Sequence, residues 1–247
     1  MAAKELLKDL FKRFFGVPFR DSRPFSIAQR AFLYHPRQQM LKTATDFISA
    51  HGIEGDYLEF GVYEGTTFQS AYHIADRAGL NKMHFIAFDS FEGLPRPESI
   101  DVDPGQPFEE GAYSCSEEEF KEKMKEGGVD ASRVKIVKGW FDTSLTPEKR
   151  NEIKKAAIIW IDCDLYLSTV PVLEFITPLL QDGTVIVFDD WFCYRADPDK
   201  GEQRACREWL AKNPQIKLVE YHNFAWHGKS FIVSVKETAS RSSSPHF

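Results

Sequence analysis

Residues 56–67 read DYLEFGVYEGTT, an apolar strand pattern that ends in glycine and leads into a helix. The run before Gly61 is typical of a short buried strand, and Thr66 to Gly79 has a helical pattern. Glycines at positions 61 and 65 permit a tight turn and let a ligand approach the backbone, although a purely structural turn is an alternative. The turn lacks the third glycine of G-x-G-x-x-G, so it predicts no pyrophosphate-binding loop.

Strand and helix patterns alternate along the rest of the chain. Further strands are predicted at about residues 83–89, 134–137, 157–162, 184–189, 217–220 and 230–235. Helices are predicted between them, and Ser116 with Glu119 forms a capping box that opens one of these helices. Alternation with apolar runs in the strands predicts an α/β fold with a mostly parallel, doubly wound sheet covered on both faces. Ligands of such sheets bind at the carboxyl ends of the strands.

Three regions are expected along the chain. Residues 1–35 form an N-terminal helical arm or lid, residues 36–236 form one domain, and residues 237–247 form a disordered tail. The apolar spacing in residues 4–15 predicts an amphipathic helix that packs on the body or on a second subunit of a homodimer. A membrane-surface helix is the alternative. The next helix is predicted from about Pro36 to His51.

Composition excludes several classes of protein. The 247 residues are 43% hydrophobic and 28% charged, which is ordinary for one large globular domain. A net charge of -6 argues against a nucleic-acid partner. The longest apolar stretch, 156–161, is too short for a membrane span, and the first 15 residues do not resemble a signal peptide. The four cysteines show no C-x-x-C spacing, so we expect reduced thiols in a cytoplasmic protein.

An acidic residue, Asp89, ends the second predicted strand. It lies 24 residues after Gly65 (89 − 65), and a carboxylate at this position can hydrogen-bond both hydroxyls of a ribose. A helix cap or turn is the alternative. With the glycine turn, Asp89 indicates an adenosine-type ligand without an essential phosphate. Trp140 or Phe141, after the third strand, is expected either to stack on a purine or to belong to the core.

Four carboxylates follow the fourth and fifth predicted strands. Asp162 and Asp164 end one strand, and Asp189 and Asp190 end the next, with Asp162 and Asp189 27 residues apart (189 − 162). Adjacent parallel strands bring such residues together, and an uncompensated cluster of like charges is unfavourable. Mg²⁺ binds carboxylate oxygens and would compensate the charge, as would Mn²⁺ or Ca²⁺. Helix caps and solvated loop acids are the alternative.

Five strings at these strand ends carry a family resemblance. They are LEFGVYEGTT, FIAFDSFEGLP, VKGWFDTSL, IDCDLY and VIVFDDW. Together they resemble the macrocin O-methyltransferase (TylF) family over roughly residues 35–235. This family comprises class I, Rossmann-like methyltransferases with a seven-stranded sheet that depend on S-adenosylmethionine and Mg²⁺. Their acceptors are hydroxyls of sugars and other natural products.

The resemblance also implies roles for individual residues. The residues expected to bind S-adenosylmethionine are Glu59, Gly61, Tyr63, Gly65, Thr66, Asp89, Ser90, Gly139, Trp140 and Asp162. The expected metal ligands are Asp162, Asp189 and Asp190. Asp162 also matches the position of the catalytic base. Asp164 is expected to support the metal ligands without binding the metal itself. His222 and His227 are reserve candidates for the base.

Some segments match nothing in the family, and two rival functions stay open. Residues 96–113 and 192–203 are unmatched, so we expect them to set substrate specificity, while residues 20–39 are expected to close over the substrate. Asp162-x-Asp164 also resembles the D-x-D motif of nucleotide-sugar glycosyltransferases, which leaves the Asp189-Asp190 pair and the glycine turn unexplained. A non-catalytic binding module with this fold is the second rival.

Overall fold

The computed structural model of the protein describes residues 24–103 and 108–235, with side chains from residue 36 onward. The predicted helix at residues 4–15, with its proposed role in a homodimer, and the predicted tail at 237–247 lie outside the described residues. Within the described part, the chain folds around one sheet.

Seven strands form this sheet in the order β3-β2-β1-β4-β5-β7-β6. The strands are β1 (Asp56–Phe60), β2 (Phe85–Asp89), β3 (Val134–Lys138), β4 (Ala156–Ile161), β5 (Val185–Phe188), β6 (Ile216–Phe224) and β7 (Gly228–Val235). The first five are parallel, whereas β7 runs antiparallel to both of its neighbours. The predicted mostly parallel, seven-stranded sheet is therefore confirmed, and its strand order reverses between β1 and β4.

Helices connect the strands. They are α1 (Pro24–His51), α2 (Thr66–Arg77), α3 (Glu117–Glu126), α4 (Phe141–Ser144), α5 (Pro147–Asn151), α6 (Tyr166–Ile176) and α7 (Gly201–Lys212). The capping box is confirmed at the start of α3, where the Ser116 and Glu119 side chains each bond the other residue's backbone N–H. The predicted start of α1 near Pro36 was wrong, because Pro36 lies inside the helix. Proline favours a first turn, but one lost backbone bond does not end a long helix that packs on the body.

Apolar side chains fill both faces of the sheet. Tyr57 and Trp160 point to the face covered by α1, α2 and α3. Leu58 and Phe60 point to the other face, which α6 and α7 cover. Because neighbouring residues of a strand face opposite sides, strands buried on both faces must be apolar throughout. The two cores hold the sheet rigidly and fix the positions of the residues that follow its strands.

Two general predictions also have an outcome in the structure. In the described part of the chain, no helix combines the length and hydropathy needed to cross a membrane. All four cysteines, Cys115, Cys163, Cys193 and Cys206, are buried free thiols, as the sequence predicted.

Candidate active site

The carboxyl edge of the parallel strands carries most of the predicted site residues. Backbone hydrogen bonds extend the sheet by one residue past the strands: Gly61 N–H to Phe88, Gly139 N–H to Asp89, Asp162 N–H to Phe60 and Asp189 N–H to Ile161, at 2.8–2.9 Å. Since the strand order is β3-β2-β1-β4-β5, Gly139, Asp89, Gly61, Asp162 and Asp189 stand in one row. The sequence correctly predicted that these residues lie along one edge.

The glycine turn after β1 lies against the first residue of the acidic cluster. Gly61 has φ +85°, and a side chain there would overlap the backbone carbonyl of Asp162. Gly65 has φ +75° and precedes α2, where a side chain would collide with Phe120 and Met124 of α3. Gly65 provides no side-chain cap, so the first N–H groups of α2 stay available. The turn therefore requires glycine at both positions.

Asp89 fixes this turn through its carboxylate. One oxygen accepts hydrogen bonds from the backbone N–H groups of Val62 (2.8 Å) and Tyr63 (3.2 Å), and the other accepts from Phe91 (2.7 Å). Burial raises the pKa of Asp89, while these three bonds act to lower it. A carboxylate has about four acceptor positions, so Asp89 can still accept a hydrogen bond from a ligand.

Other predicted cofactor residues have structural partners. The Glu59 carboxyl is buried and accepts a hydrogen bond from the Tyr57 hydroxyl, and burial raises its pKa well above the usual range. Ser90 is buried and bonds within its own turn, to the Gly93 carbonyl at 3.1 Å. Trp140 is half-buried ahead of α4. Phe141 packs edge-on against Phe60. It therefore belongs to the core, which was one of the two roles predicted for it.

Three carboxylates converge after β4 and β5. Asp162, Asp164 and Asp190 each offer an oxygen, and these atoms all lie within 4.8 Å of one another. Asp162 is partly exposed, whereas Asp164 and Asp190 are buried. Burial and then mutual repulsion raise the pKa of Asp162 and Asp164 well above the usual range, and that of Asp190 to about 6. The four-residue acidic cluster predicted from spacing is therefore present, with its members crowded.

The fourth acid, Asp189, is bound by a cation from α1. The Arg37 guanidinium spans both carboxylate oxygens of Asp189, through Nε at 3.0 and 3.1 Å and through a closer Nη2 bond. Asp189 is fully buried. Burial alone would lower the pKa of Arg37, but the charges of Asp189, Asp162 and Asp190 together with the hydrogen bond to Asp189 outweigh it, and the pKa is raised. The predicted ligand role of Asp189 therefore stays a prediction, since its oxygens already hold a cation.

Two further residues support the loop at Asp189 and Asp190. His227 Nδ1 lies 2.5 Å from the Asp189 carbonyl oxygen, and the ring is buried, whereas His222 is exposed. The buried Glu202 carboxylate accepts the backbone N–H of Asp190 at 2.9 Å. Burial, and then repulsion by the neighbouring carboxylates, raises the pKa of Glu202 well above the usual range.

The cluster fits a hard divalent cation. Among the buried side chains that the structure describes, Asp190 Oδ2 is one of three polar atoms without a hydrogen-bond partner. It belongs to the group of three carboxylates whose oxygens converge. Asp164 adopts φ +60°, a left-handed conformation that is unfavourable for residues other than glycine. Three converging carboxylates, one with an unpartnered oxygen, are the type of ligands that such a cation prefers.

The described parts of the two segments that were expected to set substrate specificity pack against each other beside this cluster. Arg195 forms an ion pair with the buried carboxylate of Asp103 at 3.0 Å, and Lys200 donates to the Val102 carbonyl at 2.8 Å. Tyr194 donates its hydroxyl hydrogen to the Asp164 carbonyl at 3.3 Å. The segments after β2 and β5 therefore form one layer next to the acids.

Sequence reasoning missed Arg37 and Glu202 as site residues. Arg37 lay in a segment that was expected only to close over a substrate, 152 positions from Asp189. Glu202 looks like a solvated acid in the first turn of a helix. No local spacing signals either contact, because both depend on how helices pack over the sheet edge.

Comparison with known proteins supplies the family. The chain is 28% identical over 159 residues to 8-demethyl-8-(2,3-dimethoxy-alpha-L-rhamnosyl)-tetracenomycin-C 4'-O-methyltransferase of Streptomyces olivaceus, covering 63% of this chain and 60% of that protein. It is 25% identical to mycinamicin III 3''-O-methyltransferase of Micromonospora griseorubida, covering 57% and 56% of the two chains. The chain thus matches less than two thirds of the length of these curated relatives.

A solved structure has the same fold. The O-methyltransferase NovP superposes with a TM-score of 0.68 at 21% identity, covering 80% of this chain and 79% of that one. The family model of the macrocin O-methyltransferases matches residues 26–209, which include every strand from β1 to β5 and all four acids of the cluster. On that match and this fold, the chain belongs to the macrocin O-methyltransferase (TylF) family.

Proposed function

We propose that this protein is an S-adenosylmethionine-dependent, Mg²⁺-dependent O-methyltransferase that acts on a hydroxyl of a sugar or other natural product. The contact between the Gly61 turn and the Asp162 backbone carries this proposal. It brings the predicted cofactor residues and the acidic cluster onto neighbouring strands of one sheet edge. The names of the relatives support a hydroxyl of a glycosylated natural product as acceptor.

The cofactor half is proposed to lie over β1, β2 and β3. The Gly61 turn, the uncapped start of α2 and the remaining acceptor capacity of Asp89 would receive the methionine and ribose parts. Glu59, Tyr63, Thr66 and Ser90 would belong to the same cofactor site, and Gly139 with Trp140 would border the adenine. S-adenosylmethionine supplies a methyl group that its sulfonium already activates. The protein's task is therefore to orient the acceptor in line with that methyl group.

The acceptor half is proposed to lie over β4 and β5. We place the metal on Asp162, Asp164 and Asp190 instead of the predicted Asp162, Asp189 and Asp190, because Arg37 pairs with both carboxylate oxygens of Asp189. A bound Mg²⁺ would lower the pKa of an acceptor hydroxyl that it contacts. Asp162 is the proposed base, because it is the partly exposed member of the cluster and can therefore meet an acceptor hydroxyl. A cytoplasmic location remains part of the proposal, and the buried free thiols support it.

Titration calorimetry with S-adenosylhomocysteine, with and without Mg²⁺, tests the cofactor half. We expect micromolar binding to the wild type and at least about tenfold weaker binding to Asp89→Ala. No binding to the wild type in either condition would overturn the methyltransferase proposal and favour the nucleotide-sugar alternative.

Metal removal tests the acceptor half. In an assay of methyl transfer to glycosides, we expect EDTA to abolish turnover and Mg²⁺ to restore it. Asp190→Asn should lose turnover and also lose the rise in melting temperature that Mg²⁺ gives the wild type, because a neutral amide removes one carboxylate. Full turnover in EDTA would refute the metal requirement, and cofactor binding without turnover on any acceptor would favour the non-catalytic module.

A further inference from the structure

Large hydrophobic side chains that face solvent are unevenly distributed. Among the described side chains, six are exposed: Tyr63, Val102, Tyr113, Leu167, Val219 and Trp226. All but Val219 lie on segments at the carboxyl edge of the parallel strands, and Val219 lies within β6. We call Tyr63, Val102, Tyr113, Leu167 and Trp226 the apolar rim. Exposed apolar side chains gathered in one region typically mark a binding surface, whereas single ones need no explanation.

Tyr113 of the apolar rim lies near the acidic cluster. The pKa of Tyr113 is raised by partial burial and then by the charges of Asp164, Asp190 and Asp162, which places its phenol in the field of all three acids. Its ring meets the edge of the Tyr63 ring at 5.9 Å between centroids. A molecule whose hydroxyl reaches the acids would therefore also contact this part of the rim.

Trp226 is the most exposed member of the rim, at 71%. It lies in the tight turn between β6 and β7, and its ring is 5.1 Å from that of His227. His227 bonds the Asp189 carbonyl, and the His227 carbonyl accepts the Phe192 N–H at 2.8 Å. Two hydrogen bonds of His227 thus fix the turn to the loop after β5, so the largely exposed Trp226 ring lies next to a residue that bonds Asp189.

We propose that Trp226 is a specificity-determining residue that stacks on an apolar part of the acceptor while the acceptor's hydroxyl reaches the acidic cluster. This inference rests on the proposed function. Aromatic faces bind flat apolar groups and the C–H faces of sugar rings with little loss of side-chain entropy. Preference for an acceptor with an apolar group should therefore depend on Trp226 and not on exposed hydrophobic residues elsewhere.

Calorimetry on the full chain with Mg²⁺ and S-adenosylhomocysteine tests this role. The probes are 4-methylumbelliferyl α-L-rhamnoside and methyl α-L-rhamnoside, which share a sugar and differ in the apolar group. We expect the umbelliferyl glycoside to bind the wild type at least about tenfold more tightly. Trp226→Ala should lose this preference and Trp226→Phe should keep most of it. Val219→Ala, the matched control, should change nothing.

Each other outcome overturns the inference. Equal affinity of the wild type for the two probes, or no binding of either, would do so, as would an undiminished preference in Trp226→Ala. If light scattering shows a dimer that Trp226→Ala dissociates while the preference persists, the rim is a contact between copies of the chain. Binding of S-adenosylhomocysteine, measured separately, reports on the proposed function. If S-adenosylhomocysteine does not bind but the Trp226-dependent preference persists, the proposed methyltransferase function is refuted and the role of Trp226 in binding the glycoside stands.

Discussion

The two halves of the carboxyl edge differ in how their acids are satisfied. Over β1 to β3, Asp89 accepts three backbone N–H groups and holds the glycine turn in place without any ligand. Over β4 and β5, acids crowd together, and Asp190 keeps a buried oxygen without a partner. The first half is complete as folded, whereas the second carries excess negative charge. This difference is the physical basis for proposing a cation in the second half and none in the first.

Arg37 compensates part of that charge from within the chain. It pairs with Asp189, whereas Asp162, Asp164 and Asp190 form the group of converging carboxylates that is proposed to bind the metal. A buried carboxylate is tolerated only when it is paired or hydrogen-bonded. The acid half therefore depends on helix α1 through this ion pair.

The largest effect is expected from Arg37→Met, which tests this dependence. It would leave Asp189 buried without its cation, at a cost of about 3–5 kcal/mol in the free energy of unfolding. Urea unfolding in EDTA measures the loss, and Mg²⁺ should reduce it by supplying a cation nearby. Lys42→Met, which breaks an exposed pair with Asp46, is the control and should cost less than about 0.5 kcal/mol. Equal, small losses of stability for both variants would show that Arg37 does not stabilise the buried Asp189.

A smaller effect is expected from Asp89→Asn, which tests whether the cofactor half is held by its own carboxylate. Asparagine keeps one acceptor oxygen, so one side of the turn loses its hydrogen bonds and the protein loses about 1–3 kcal/mol of stability. The loss should be the same with and without Mg²⁺. Asp142→Asn, an exposed acid near the same edge, should leave the urea midpoint unchanged. A Mg²⁺-dependent loss for Asp89→Asn would contradict the separation of the two halves.

The smallest effect is expected from Glu202→Gln, which refines the account of the acid half. Glutamine still accepts the Asp190 N–H and removes one buried acid from the crowd, so stability should change by less than about 1 kcal/mol. Glu202→Ala should cost more, about 1–3 kcal/mol, because the buried N–H loses its acceptor. Urea unfolding and the Mg²⁺-induced rise in melting temperature distinguish the two variants. Equal losses would show that Glu202 acts through its charge instead.

Local patterns predicted the sheet well because they depend on neighbours in sequence. Apolar runs at residues 157–162 and 184–189 predicted β4 and β5, and the Ser116 capping box predicted the start of α3. The start of α1 was missed because packing overrides the local preference of Pro36. The acids at strand ends could be foreseen for a similar reason, since parallel strands bring their carboxyl ends to one edge.

The sequence by itself determined the parallel sheet, the glycine turn, the strand-end acids and the family. These follow from the spacing of residue types along a few consecutive segments. Only the tertiary structure decided that Arg37 binds Asp189, that Glu202 supports Asp190, and that His227, in the turn that carries Trp226, bonds Asp189. Those contacts join segments far apart in the chain. Their geometry is set by how helices and loops pack over the sheet edge, which local spacing does not encode.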